Sequence, residues 1–129
     1  LSRVYESESV GFEGDNFYNL VAALDTEMAV EQVSKVVHEI EAEHGRTREG
    51  PRFSSRTLDI DLLTYDDLIT SDNGLQLPRD EISKNAFVLW PLAEIAPDER
   101  HPLLNQTYAE MWHNFDREKQ SLWPVAFQW

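Results

Sequence analysis

Thr57-Leu58-Asp59-Ile60-Asp61-Leu62-Leu63-Thr64-Tyr65 alternates in character along its length, and that period of two predicts a strand. On a strand, residues i and i+2 share a face. Asp59 and Asp61 are therefore expected side by side, with Leu58, Ile60 and Leu62 turned towards the core. Two neighbouring carboxylates repel each other, and a divalent cation relieves that repulsion. Hard oxygen ligands suit Mg²⁺, which also takes substrate phosphates as partners. On spacing alone, a solvated acidic face is the plainer alternative, because D-x-D is a common pattern.

The segment just before it changes the balance. Arg46, Arg48, Arg52 and Arg56 lie in one short stretch whose single acid is Glu49, in a chain of only 11 Lys and Arg residues. Gly50-Pro51 and Ser54-Ser55 mark this stretch as a loop. Guanidinium groups bind phosphate oxygens in pairs. An acid pair that holds Mg²⁺, next to clustered arginines, is what phosphoryl transfer from a nucleotide requires. The loop is expected to act as a lid that brings its arginines in when nucleotide is present. No G-x-x-x-x-G-K-[ST] run occurs, so the chain is not a P-loop NTPase.

Outward from this centre, Val4 to Ser7 reads as a short strand and Phe17 to Leu24 as a largely buried one. Val30, Val33, Val37 and Ile40 recur at helical spacing, opposite Glu31, Lys35, Glu39 and Glu43. They predict an amphipathic helix over 30–44 that stops at Gly45. Ser71-Asp72-Asn73-Gly74 between apolar ends predicts a hairpin over 68–78. Lys84 to Ile95 reads as a helix closed by Ala96-Pro97, Leu104 to Phe115 as a second amphipathic stretch, and Leu122 to Trp129 as an edge strand. Irregular alternation of strands and helices favours an α+β sandwich.

The 129 residues suit one domain. A hydrophobic share of 41%, with six Phe, four Tyr and four Trp, is enough for a core. With no cysteine, disulfides, thiolate metal sites and thiol nucleophiles are excluded. A net charge of −13 repels nucleic acid and anionic membranes at long range. No apolar run approaches the roughly 18 residues of a membrane span, and Leu1 to Tyr5 does not read as a signal peptide. A soluble, cytoplasmic monomer acting on small molecules is expected, with neither nucleic acid nor membrane as partner. His38, His44, His101 and His113 show no metal-ligand spacing.

Arg56-Thr57-Leu58-Asp59-Ile60-Asp61-Leu62-Leu63 resembles the R-T-L-D-x-D signature of the 6-hydroxymethyl-7,8-dihydropterin pyrophosphokinase (HPPK) family of folate biosynthesis. The likeness spans about residues 4–98. Val4-Tyr5-Glu6-Ser7 with Val10-Gly11 resembles the family's early strand and pterin loop, and Phe17-Tyr18-Asn19 its F/Y-x-N strand. Ile40-Glu41 with Gly45-Arg46 resembles its helix end, and Asn85 to Pro97 is similar to its C-terminal motif.

The resemblance implies a ferredoxin-like α+β sandwich and Mg-dependent transfer of pyrophosphate from ATP to the pterin hydroxymethyl oxygen, with AMP released. By position, Asp59 and Asp61 would hold two Mg²⁺ ions, and Arg46 and Arg56 would contact the moving phosphates. Asn19 would read the amide-like edge of the pterin, Phe17 and Phe87 would sandwich its ring, and Ser7, Val10 and Phe53 would complete the pocket. His38, Glu41, Arg48, Leu62 and Arg79 would lie on the ATP side. A flat heteroaromatic ring suits two aromatic faces and a side-chain amide. Asn19 in an apolar stretch points the same way, since a buried amide needs partners. By themselves, Phe17 and Phe87 read better as ordinary core aromatics than as pocket walls.

The chain also departs from the family pattern. Phe53-Ser54-Ser55-Arg56 replaces W-G-P-R, Arg79 stands where a nucleotide-contacting His is expected, Asn85 where Arg is frequent, and Glu8 where the pterin loop has Pro. The family's opening A-x-G-S-N strand and its helix are not present, so the domain is expected to be incomplete at its start. These departures keep two other readings open: a non-catalytic pterin- or nucleotide-binding paralogue, and an acidic interaction module.

Overall fold

β1 (Val4–Ser7) is the middle strand of a three-stranded antiparallel sheet, flanked by β2 (Phe17–Asn19) and β3 (Leu122–Val125). The computed structural model describes residues 1–7, 17–46, 59–72, 74–116 and 120–125. The register sets Tyr5 opposite Asn19 and Pro124, and Ser7 opposite Phe17 and Leu122. β3 is the described part of the edge strand expected over 122–129, whose last four residues lie outside the described residues. Its Pro124 costs little there, because an edge strand can leave one N–H side unpaired.

Three helices complete the described chain: α1 (Val30–Arg46), α2 (Ala86–Ile95), which follows a 3₁₀ turn at Asp80–Ser83, and α3 (Tyr108–His113). The arrangement is α+β. Ile82, Leu89, Leu92, Ala93, Ala96, Tyr108 and Met111 form the core, with Val21, Leu63 and Phe115 packed on its margin. An aromatic column crosses the layers. The Tyr5 ring lies 4.7 Å from Trp90, which stacks at 5.1 Å on Trp112, which stacks at 5.6 Å on Phe115. Trp112, Met111 and Phe115 are thus packing residues, as their apolar setting predicts.

The structure differs from the sequence expectation in five places. Residues 59–65 form no strand. A strand is a ladder, and the backbone groups here are engaged otherwise: Ile60 N–H donates to the Glu41 carboxylate at 2.6 Å, and Leu63 C=O accepts from Arg79 N–H at 3.0 Å. The expected strand over 17–24 stops at Asn19, because Val21 N–H donates to the Ser2 hydroxyl and Val21 C=O accepts from Ser2 N–H. α1 runs through Gly45 to Arg46. Its apolar stripe is unevenly covered among the described residues: Val30 is 9% exposed and Ile40 41%.

α2 begins at Ala86 rather than Lys84, with Asn85 in extended conformation as its N-cap. The helix expected over 104–115 shrinks to α3. Residues 101–107 form a closed loop instead, in which His101 Nδ1 accepts from the Leu103 and Leu104 amides at 3.2 and 3.1 Å. Asn105 adopts φ 57°, and the Thr107–Glu110 capping box then starts the helix. The hairpin at 68–78 is present in minimal form. Thr70 and Leu77 exchange both backbone hydrogen bonds, and Gly74 supplies the φ of 77° that its turn requires.

Candidate active site

Glu41, in the penultimate turn of α1, accepts from the amide of Ile60, the residue between Asp59 and Asp61. At the other end of the same segment, the Tyr65 hydroxyl donates to Met28 C=O at 2.5 Å, just ahead of α1. Residues 59–65 are therefore tied alongside α1 at both ends, which places the acid pair at the helix's C-terminal end. Asp59 and Asp61 are both exposed, while Ile60 and Leu62 are half-buried and Leu63 meets the core. Side-chain ties from Glu41 and Tyr65 and one backbone bond from Arg79, rather than a sheet ladder, hold the segment that carries these two exposed acids.

Arg79 reaches one member of this pair, Asp61. Its guanidinium lies 3.9 Å from Asp61 Oδ1 and 2.6 Å from Glu81 Oε1, and its backbone amide is the donor to Leu63. His38 is exposed on α1, one turn before Glu41 and on the same side. Among the described residues, no group of three His, Asp or Glu side chains converges into a metal cage. A carboxylate pair still fits Mg²⁺, which is usually bound by one or two carboxylates together with substrate phosphates and water.

A second half lies on the sheet and α2. Ser7 is buried at 7% exposure at the end of β1, and Asn19 is half-buried at the end of β2. Phe17, on β2, is the register partner of Ser7. Phe87 is half-buried in the first turn of α2. The connectivity brings it to the Ser7 end of the sheet. Ala86 N–H donates to Gln120 Oε1 at 2.7 Å, and Gln120 precedes Leu122, the partner of Ser7. At the opposite end of α2, the Tyr5 hydroxyl donates to Glu94 Oε1 at 2.5 Å, and Glu94 Oε2 accepts from Arg3 N–H at 3.0 Å. α2 thus lies antiparallel to β1 and is anchored at both ends. The turn Asp80–Ser83 joins Arg79 to α2 and so links the two halves.

Burial pushes the Tyr5 hydroxyl up to about 12, helped by its bond to Glu94. Burial works to raise the Glu94 carboxyl, but the hydrogen bonds from Tyr5 and from the Arg3 amide outweigh it and hold the group below its ordinary range.

Arg46 is the last residue of α1. Val10, Arg48, Phe53 and Arg56 lie outside the described residues. Sequence reasoning passed over Tyr5, Glu94 and Gln120 as individual residues. One signal was available: Glu94 is the single ionisable residue in the apolar run 86–95, and a carboxylate in such a helix must find donors.

A family profile for 7,8-dihydro-6-hydroxymethylpterin-pyrophosphokinase (HPPK) matches residues 1–97. Three proteins named 2-amino-4-hydroxy-6-hydroxymethyldihydropteridine pyrophosphokinase are similar to the chain. That of Methylorubrum extorquens is 46% identical over 84 residues, covering 65% of this chain and 52% of that protein. That of Pseudomonas aeruginosa is 39% identical over 103 residues, covering 79% and 63%. That of Aquifex aeolicus is 33% identical over 111 residues, covering 85% and 69%. The match thus spans about half to two thirds of the length of these curated relatives. The profile covers both halves of the candidate site, and the chain belongs to the HPPK family.

Proposed function

We propose that the domain transfers pyrophosphate from ATP to the hydroxymethyl group of 6-hydroxymethyl-7,8-dihydropterin, releasing AMP, as a step of folate biosynthesis. The observation that carries this reading is the Asp59–Asp61 pair, whose intervening amide is held by Glu41 and beside which Arg79 stands. In this reading the pterin hydroxyl oxygen attacks the β-phosphorus of ATP. The bond from that phosphorus to the α,β-bridging oxygen breaks, AMP leaves, and the hydroxyl proton passes to solvent. Asp59 and Asp61 would hold Mg²⁺, two ions in the full site, which neutralises phosphate charge when bound.

The protein's own residues position and orient. Arg79 moves from Asp61 towards phosphate oxygens, Arg46, Arg48 and Arg56 supply further positive charge, and His38 and Leu62 border the nucleotide. Glu41, on the ATP side, also fixes the backbone between the two acids through the Ile60 amide. Ser7, Val10, Asn19 and Phe53 shape the pterin pocket, with Phe17 and Phe87 as its aromatic walls. The same reading carries a ferredoxin-like arrangement of the complete domain and a soluble, cytoplasmic monomer. No helix among the described residues is long and apolar enough to cross a membrane.

Calorimetric titration of the full chain with 6-hydroxymethylpterin, and with α,β-methylene-ATP plus Mg²⁺, tests the reading. Binding of both is expected. A folded chain that binds neither contradicts it and favours the acidic interaction module.

A further inference from the structure

We propose that Gln120 is a positioning residue for the pterin pocket: it sets the first turn of α2, and with it Phe87, against the Ser7 end of the sheet. The inference rests on the pterin reading above. Gln120 lies beyond residues 1–97, so the family match assigns it no role.

The first turn of α2 is weakly held by its own helix. A helix N-terminus leaves its leading N–H groups without intrahelical partners, and the Asn85 N-cap makes no side-chain capping bond. Inside the helix, Pro91 has no N–H to give to the carbonyl four residues earlier, which is that of Phe87. Both features weaken the turn that carries Phe87. Ala86 is fully buried, so its amide must be satisfied by protein.

Gln120 supplies the missing tie from the other side of the fold. Its Oε1 accepts from Ala86 N–H at 2.7 Å, while its Nε2 donates to Lys84 C=O at 3.3 Å and to Asn85 Oδ1 at 3.4 Å. One side chain therefore grips three consecutive residues at the helix start. Its own backbone is fixed through β3, where Leu122 pairs with Ser7. The residue that caps α2 and the residue that pairs with Ser7 are two positions apart, so the distance from Phe87 to the sheet is set by a short and directly anchored piece of chain.

The test compares wild type, Gln120→Ala and Gln120→Glu in the full chain. It measures 6-hydroxymethylpterin affinity by fluorescence, affinity for α,β-methylene-ATP with Mg²⁺ by calorimetry, and amide hydrogen exchange by NMR. Gln120→Ala is expected to weaken pterin binding roughly tenfold, the usual worth of a helix cap, and to leave nucleotide affinity within about twofold. The Ala86 and Phe87 amides should exchange faster, while those of Leu92 and Ala96 keep their protection. Gln120→Glu keeps the acceptor for Ala86 N–H, at a helix end that favours negative charge, and should restore pterin affinity to within about threefold of wild type. Unchanged pterin affinity in Gln120→Ala overturns the proposal, and so does an equal loss of both ligands with protection falling throughout α2. Wild type that binds no pterin overturns the functional reading itself, and the purpose given to Gln120 with it.

Discussion

The Tyr5 hydroxyl, on a side chain with no exposed surface, donates to Glu94 Oε1 at 2.5 Å and so ties the middle strand of the sheet to the last turn of α2. Arg3 joins the same carboxylate through its backbone amide and its Nε, and its guanidinium also reaches the Tyr5 oxygen at 3.1 Å. Three donors thus converge on one carboxylate between strand and helix.

Tyr5→Phe keeps the ring against Trp90 and removes only the hydroxyl. A loss of about 1–3 kcal/mol in unfolding free energy is expected, since a charged acceptor loses a buried donor. Chemical denaturation of both proteins measures it. Unchanged stability would mean that the bond is not formed in solution.

The same hydroxyl gives an alkaline signature. Its folded pKa, about 12, lies above the ordinary value of 10.0. The folded state therefore holds the proton longer than the unfolded state. The contribution is complete below about pH 10 and is lost as pH rises from there towards 12. Tyr5→Phe should flatten this alkaline decline in the thermal midpoint, and an identical decline in the variant would contradict the assignment.

His101 acts at the acid end. It is 5% exposed, and its Nδ1 accepts from two backbone amides, which requires the neutral ring. Burial lowers its pKa from 6.5. The unfolded state thus takes up the proton first, so stability is complete above about pH 6.5 and declines as pH falls through the depressed folded value. His101→Asn should remove part of the stability at pH 7 and lessen the decline on acidification, as followed by thermal melts from pH 7.5 to 5.

Glu41 provides a geometric test of the acid pair. Glu41→Ala frees the Ile60 amide and should weaken Mn²⁺ binding, measured by electron paramagnetic resonance with α,β-methylene-ATP present, by about tenfold. That is the worth of one hydrogen bond to a charged group. Glu41→Gln retains an acceptor and should lie near wild type. Equal losses in both variants would show that the Glu41 charge matters, rather than its grip on Ile60.

Local pattern made most of the elements legible. β1, α1, α2 and the edge strand follow from short runs whose period and caps are written in neighbouring residues. The exposure of Asp59 and Asp61 beside the half-buried Ile60 and Leu62 was legible too, from the alternation of acids and apolar residues. What sequence could not give was which partner satisfies each backbone group. Residues 59–65 have the pattern of a strand, yet Glu41 and Arg79 take the hydrogen bonds a ladder would use. His101 likewise absorbs the amides that would have lengthened α3 towards its start. Gln120 and Glu94 act over 34 and 89 residues of separation, and no local periodicity marks such contacts.

The most direct measurement is AMP formation from ATP and 6-hydroxymethyl-7,8-dihydropterin by the full-length protein, with and without Mg²⁺, in wild type and Asp59→Ala. AMP that requires the pterin, the metal and Asp59 together is the predicted result. A folded wild-type protein that binds the pterin yet forms no AMP would contradict the account and identify a non-catalytic binding paralogue.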